Sequence, residues 1–144
     1  MRGFFGIAMY YPKYEDNWGS LIRTANILGA NFVACIGPRF QPQCSDTMKS
    51  HRHLPVFEYS TFEEFYEHLP YDCKLIGIEL AENAVELGKF KHPHRAIYLL
   101  GAEDFGLPEK VLTKCHDLVK LKGERSMNVS IAGSIVLYHR EGVA

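Results

Sequence analysis

No stretch of this 144-residue chain approaches the roughly 20 consecutive apolar residues that a membrane-crossing helix needs, so no span is expected. The four cysteines, Cys35, Cys44, Cys73 and Cys115, form no Cys-x-x-Cys pair. That argues against zinc-ribbon and thioredoxin-like chemistry and leaves reduced thiols in a cytoplasmic protein as the expectation. Internal repeats and low-complexity segments are missing. Neither sign of charge dominates: 16 Lys and Arg stand against 17 Asp and Glu, a formal net charge of −1. A dedicated nucleic-acid binder is often basic overall, so an RNA partner would have to be met by a local cluster. The opening Met1-Arg2-Gly3-Phe4-Phe5-Gly6-Ile7 lacks the pattern of a secretory signal and reads as a first strand.

What is present is the material of an ordinary core. Apolar residues make up 47% of the chain, enough for one domain over residues 1–144. Strand-like and helix-like patterns alternate. Phe4 to Tyr10 is an apolar strand. Trp18, Leu21, Ile22, Ala25 and Leu28 follow helical spacing, with Asn17 placed as N-cap and Gly29 as stop. Asn31 to Ile36 and Val56 to Tyr59 read as strands. Thr61-Phe62-Glu63-Glu64 is a capping box, opening a helix whose apolar stripe is Phe62, Phe65, Tyr66 and Leu69. Lys74 to Leu80, Ala96 to Gly101 and Leu118 to Leu121 are further strands. The Ile- and Leu-rich runs among them suit strands buried on both faces. Pro108 is placed as the first residue of a helix that turns Val111, Leu112 and Cys115 inward. Ser126 to His139 is the last helix.

This alternation predicts an α/β fold, a mostly parallel sheet with helices on both faces. Ligands of such sheets bind beyond the carboxyl ends of the strands. Three segments at those ends carry chemistry. In Asn17-Trp18-Gly19-Ser20-Leu21-Ile22-Arg23-Thr24-Ala25, Arg23 lies opposite the apolar stripe, in line with Ile27, which suggests that this face is partly covered, by a second subunit or another element; a solvated surface arginine would look the same. In Gly101-Ala102-Glu103-Asp104-Phe105-Gly106-Leu107-Pro108, two acids between glycines suit ribose hydroxyls or a cationic ligand better than phosphate; an ordinary strand-to-helix turn would look the same. In Ser126-Met127-Asn128-Val129-Ser130-Ile131-Ala132-Gly133-Ser134, small residues recur and apolar residues lie on every side. The pattern predicts a helix buried all round, with free N–H groups beside Asn128 for a polar ligand end.

In this order the three segments resemble the motifs of the SpoU/TrmH-type RNA ribose 2′-O-methyltransferases of the SPOUT class. The matching residues are Asn17, Gly19, Arg23 and Ala25, then Gly101, Glu103, Gly106 and Leu107, then Ser126 to Ser130. The resemblance implies a C-terminal trefoil knot that holds S-adenosylmethionine, and a homodimer paired through helices that include the last one. It implies catalytic roles for Arg23, Asn17, Glu103, Ser126 and Asn128. Cofactor contacts would come from Leu80, Gly101, Leu121, Ser126 and Asn128, and no metal is required. Arg23 would help the ribose hydroxyl lose its proton. A guanidinium is a poor base, so it would act through an RNA phosphate or by positioning. The substrate would be RNA, tRNA rather than rRNA, recognised by the basic stretch Arg39 to His53 with Arg125, Lys89, Lys91 and Arg95. His92 and His94 lack a third neighbour and are expected to bind no metal. The loop Leu121-Lys122-Gly123-Glu124-Arg125 is shorter than the family's. It motivates an alternative, a catalytically inactive knotted dimer that binds RNA.

Overall fold

A computed structural model describes residues 3–37, 53–123 and 127–142. Seven strands form one sheet: β1 Phe4–Tyr10, β2 Phe32–Ile36, β3 Val56–Tyr59, β4 Lys74–Ile78, β5 Val85–Glu86, β6 Arg95–Leu100 and β7 Asp117–Lys120. Their order across the sheet is β3-β2-β1-β6-β4-β7-β5, and every pairing is parallel. All strand carboxyl ends therefore point to one edge. The helices are α1 Glu15–Ile27, α2 Phe62–Glu67, α3 Glu109–Leu112 and α4 Val129–Gly142.

The side-chain period of two along β1 divides the core. Phe5, Ile7 and Met9 face α1 and α4, in a cluster with Trp18, Leu21, Ile22, Val136 and Leu137. Ala8 and Tyr10 face the other way, with Phe62 and Phe65 of α2 and Val111 of α3. Helices thus cover both faces, as the alternation of apolar runs predicts. Gly133 sits where α4 passes closest to α1 and the sheet: a methyl group there would lie 2.6 Å from Leu21 Cδ1 and 2.8 Å from Leu100 Cδ1. The small residues of α4 serve this close approach.

Four expectations need correction. The first helix begins at Glu15 with Tyr14 as its N-cap, not at Asn17, because the Asn17 side chain is engaged elsewhere. Pro108 caps α3 rather than starting it, with ψ at 159° in the extended region. The last helix starts at Val129, and within this chain it is not buried all round: Ile131, Ile135 and Tyr138 are 54%, 39% and 71% exposed. Arg95, a proposed RNA contact, lies at the amino end of β6, where its Nε donates to Tyr71 O at 2.8 Å and its guanidinium covers the Phe4 ring. The short β5 and the 3-10 turn Leu87–Lys89 that follows it carry no sequence signal strong enough to foresee.

Arg140 has no exposed surface. It donates from Nη1 to Pro93 O at 2.8 Å and Tyr98 OH at 2.9 Å, and from Nη2 to His94 O at 3.0 Å. Its guanidinium also lies over the Phe5 ring, 4.7 Å from the centroid. The end of α4 is pinned by this group to the segment that leads into β6.

Candidate active site

The adjacent strands β6, β4 and β7 open at their carboxyl ends onto a cavity of about 570 Å³. Its walls come from residues 78–80 after β4, 100–106 after β6, 121–122 after β7, and 127–129 at the start of α4. Tyr14, the N-cap of α1, and Asn17 in its first turn complete it. Three of the chain's loaded segments therefore meet at one edge of the sheet, although more than 80 residues separate the first from the second.

The loop after β6 is a tight, self-closed tip. Ala102 and Gly106 exchange backbone hydrogen bonds of 3.2 and 2.8 Å, leaving Glu103, Asp104 and Phe105 as its three tip residues. Gly106 has φ +67°, and a Cβ there would press on Glu79 Oε2 at 2.7 Å. Both features favour glycine here. Glu79 braces the loop by accepting from Leu107 N at 2.7 Å. Sequence reasoning missed Glu79. Its only signal was an acid directly after an apolar strand run.

Glu103 ties the tip to the start of α1. Its Oε2 accepts from Lys13 N at 2.9 Å and its Oε1 from Asn17 Nδ2 at 3.3 Å. Asn17 Oδ1 in turn accepts from Asn128 Nδ2 at 2.9 Å. The Asn128 Oδ1 takes Ser130 N, Ser130 Oγ and Ile131 N, at 3.0, 3.0 and 3.2 Å. Asn128 therefore caps α4 in the manner of an N-cap residue. Two of the expected N–H groups at this helix start, those of Ser130 and Ile131, are taken by Asn128 itself and are not open to a ligand.

Of the predicted site residues, Asn17, Glu103 and Asn128 form one hydrogen-bonded chain. Leu80, Gly101 and Leu121 all line the cavity. Arg23 does not: it is exposed on α1, outside the cavity wall of its own chain. Ser126 and Arg125 lie outside the described residues, as do Arg39 to Arg52 of the basic stretch. Beside Arg23, Thr24, Ile27 and Leu28 line a second, largely apolar groove of about 700 Å³ with Ile131, Ile135 and Tyr138 of α4.

The cavity wall mixes apolar groups, such as Ile78, Leu80, Leu121 and Val129, with the carboxylates of Glu79, Glu103 and Asp104. That composition suits a ligand with a flat apolar part and a cationic part. Among the described residues, no group of three or more His, Cys, Asp and Glu is placed to hold a metal ion. Burial pushes the thiols of Cys35 and Cys115 up to about 12, so neither is a nucleophile at neutral pH.

Residues 5–138 match the sequence pattern of the SpoU rRNA Methylase family. A relative from Saccharomyces cerevisiae, a tRNA (guanosine(18)-2′-O)-methyltransferase, is 26% identical over 133 residues, 85% of this chain and 9% of that protein. The chain thus spans less than a tenth of the length of this curated relative. Among solved structures, an AdoMet-bound rRNA methyltransferase from Sinorhizobium meliloti superposes with a TM-score of 0.88 at 22% identity, over 100% of this chain and 59% of that one. A structure concerned with 2-OH methylation of C/U34 on tRNA superposes with a TM-score of 0.83 at 24% identity, over 94% of this chain and 93% of that one. These likenesses establish the architecture.

Proposed function

The chain belongs to the SpoU rRNA Methylase family, and from that membership we propose that it transfers a methyl group from S-adenosylmethionine to the ribose 2′-hydroxyl of an RNA. The observation that carries this reading is the cavity at the ends of β4, β6 and β7, where Glu103, Asn17 and Asn128 are joined. We favour tRNA over rRNA because the yeast relative and the neighbour of matching length are both described as acting on tRNA.

The residues present fit the cofactor. Backbone at Leu80, Gly101 and Leu121 would hold it, with Asn128 beside them, and the acidic wall favours its sulfonium. Bound there, S-adenosylmethionine supplies an electrophilic methyl group on sulfur, a transfer that needs no metal. Glu103 holds the tip after β6 against the start of α1, and Asn17 relays that constraint to Asn128. These bonds would hold the edge of the cavity in place for a ligand, which lowers the cost of orienting the reacting groups. The knotted threading implied by the family resemblance is part of the same proposal, since Met127, Asn128 and Val129 enter α4 along the cavity wall.

The enzyme would act as a homodimer. Ile27, Ile131, Ile135 and Tyr138 leave an apolar face on α1 and α4 that a second copy would cover. Arg23 flanks that face and misses the cavity of its own chain. We propose that the dimer brings it to the reacting ribose, where it engages an RNA phosphate or positions the hydroxyl.

Calorimetric titration with S-adenosylmethionine and its demethylated product tests this reading. The expected result is one site per chain, followed by methyl transfer to RNA. A folded dimer that binds neither molecule would instead be the RNA-binding non-enzyme.

A further inference from the structure

We infer that Phe105 and Tyr14, two exposed aromatic residues at the mouth of the cavity, each offer a ring on which a base of the RNA substrate stacks; the inference rests on the RNA-methyltransferase reading. Both rings line the cavity, and both are more exposed than buried, at 57% for Phe105 and 53% for Tyr14. Aromatic residues that line a cavity are candidate contacts for the flat apolar part of a ligand.

Their placement is imposed by the backbone. Phe105 is the last tip residue of the loop closed by the Ala102–Gly106 pair. The Tyr10 ring meets it edge-on, with centroids 6.3 Å apart and planes at 88°. Tyr10 is buried, so Phe105 is buttressed from beneath while much of its surface stays open. Tyr14 arrives on the other segment, held near by the bond from Lys13 N to Glu103 Oε2.

The chemistry of the two rings selects their occupant. Bases of single-stranded or splayed RNA stack on aromatic side chains, which accept any base because each has a π-face. Lys13 adds the complementary charge: its Nζ lies 5.5 Å from the centre of the Tyr14 ring, placed to meet the phosphate that accompanies a stacked base. A base held here would present its own or a neighbouring ribose to the cavity beside Glu103. The rings therefore position the substrate and leave the identity of the base to other contacts.

Phe105→Trp gives a direct readout, since the chain's one tryptophan, Trp18, is fully buried. Bulk tRNA should quench the introduced indole saturably. Phe105→Ala should weaken tRNA binding by roughly five- to a hundredfold, the range of one base–aromatic stack, and Phe105→Tyr should restore it. Tyr14→Ala should weaken it likewise, and in both alanine variants tRNA affinity should fall further than S-adenosylmethionine affinity. Wild-type tRNA affinity in Phe105→Ala, in a chain that still binds cofactor and transfers methyl groups, would overturn base stacking and leave the enzyme reading standing. Quenching by tRNA in a chain that binds no cofactor would uphold base stacking and remove the enzyme reading. Quenching by S-adenosylmethionine alone would assign Phe105 to the cofactor's adenine and overturn base stacking.

Discussion

Asn128 donates from Nδ2 to Asn17 Oδ1 at 2.9 Å, joining residues 111 positions apart. The same Asn128 side chain caps α4 with its oxygen. One amide thus ties the helix that closes the cavity to the helix that opens it. Asn128→Ala removes the cap and the link together. The cap alone is worth about 1–2 kcal/mol. Thermal unfolding should show a Tm lower by roughly 3–6 °C. Calorimetry should show weaker S-adenosylmethionine binding. Unchanged values for both would mean that the Asn128 contacts are incidental.

Arg23 stands apart from this chain of bonds, exposed and outside the cavity wall. A residue that completes the site from elsewhere should separate chemistry from binding. Arg23→Ala should keep its fold and its cofactor affinity and lose methyl transfer by at least about a hundredfold, the scale of assisted proton loss. Tritium transfer to RNA measures it. Transfer at the unmodified rate would remove Arg23 from the mechanism.

The same groove that adjoins Arg23 predicts the assembly. Ile131 is 54% exposed among Ile27, Ile135 and Tyr138. Ile131→Glu would force a carboxylate into the covered interface, at a cost of several kcal/mol. Sedimentation should find two chains per particle for the unmodified protein. The variant should be a monomer, its dissociation constant raised at least about a thousandfold. A monomer in both cases would refute the homodimer.

How much of this was readable in the residues depends on how local the cause is. The strands were, because runs such as Lys74–Ile78 and Arg95–Leu100 are buried on both faces and need no partner to be recognised. The capping box was also local: Glu64 N donates to Thr61 Oγ1 at 3.1 Å, and Glu64 Oε2 accepts from Ser60 N, one residue before the expected donor. Asn17 misled because a cap and a tertiary ligand use the same short amide. Glu79 and Arg140 were invisible because their partners, Leu107 N and the carbonyls of residues 93–94, are distant in sequence. The apolar roundness of α4 promised burial, but one chain supplies only part of the cover.

The buried cluster beneath the end of α4 makes stability depend on pH. His92 Nδ1 lies 2.7 Å from Tyr98 OH and His92 Nε2 lies 2.8 Å from His139 Nδ1. Burial, with smaller contributions from His139 and Arg140, lowers the His92 pKa to about 4. Unfolded histidine titrates near 6.5, so between those values the unfolded chain binds the extra proton and the folded one does not. The contribution is fully present above about pH 6.5 and is lost as pH falls toward 4. Its size is on the order of 2 kcal/mol. His92→Gln keeps a polar side chain in place and cannot take up that proton. Thermal unfolding at pH 7.5 and pH 4.5 should therefore show a smaller drop in Tm for His92→Gln than for the unmodified chain. Carboxylates that titrate in the same window act on both proteins alike, so the difference between the two drops reports His92 together with its hydrogen-bonded partner His139. Equal drops would show that the proton is taken up elsewhere.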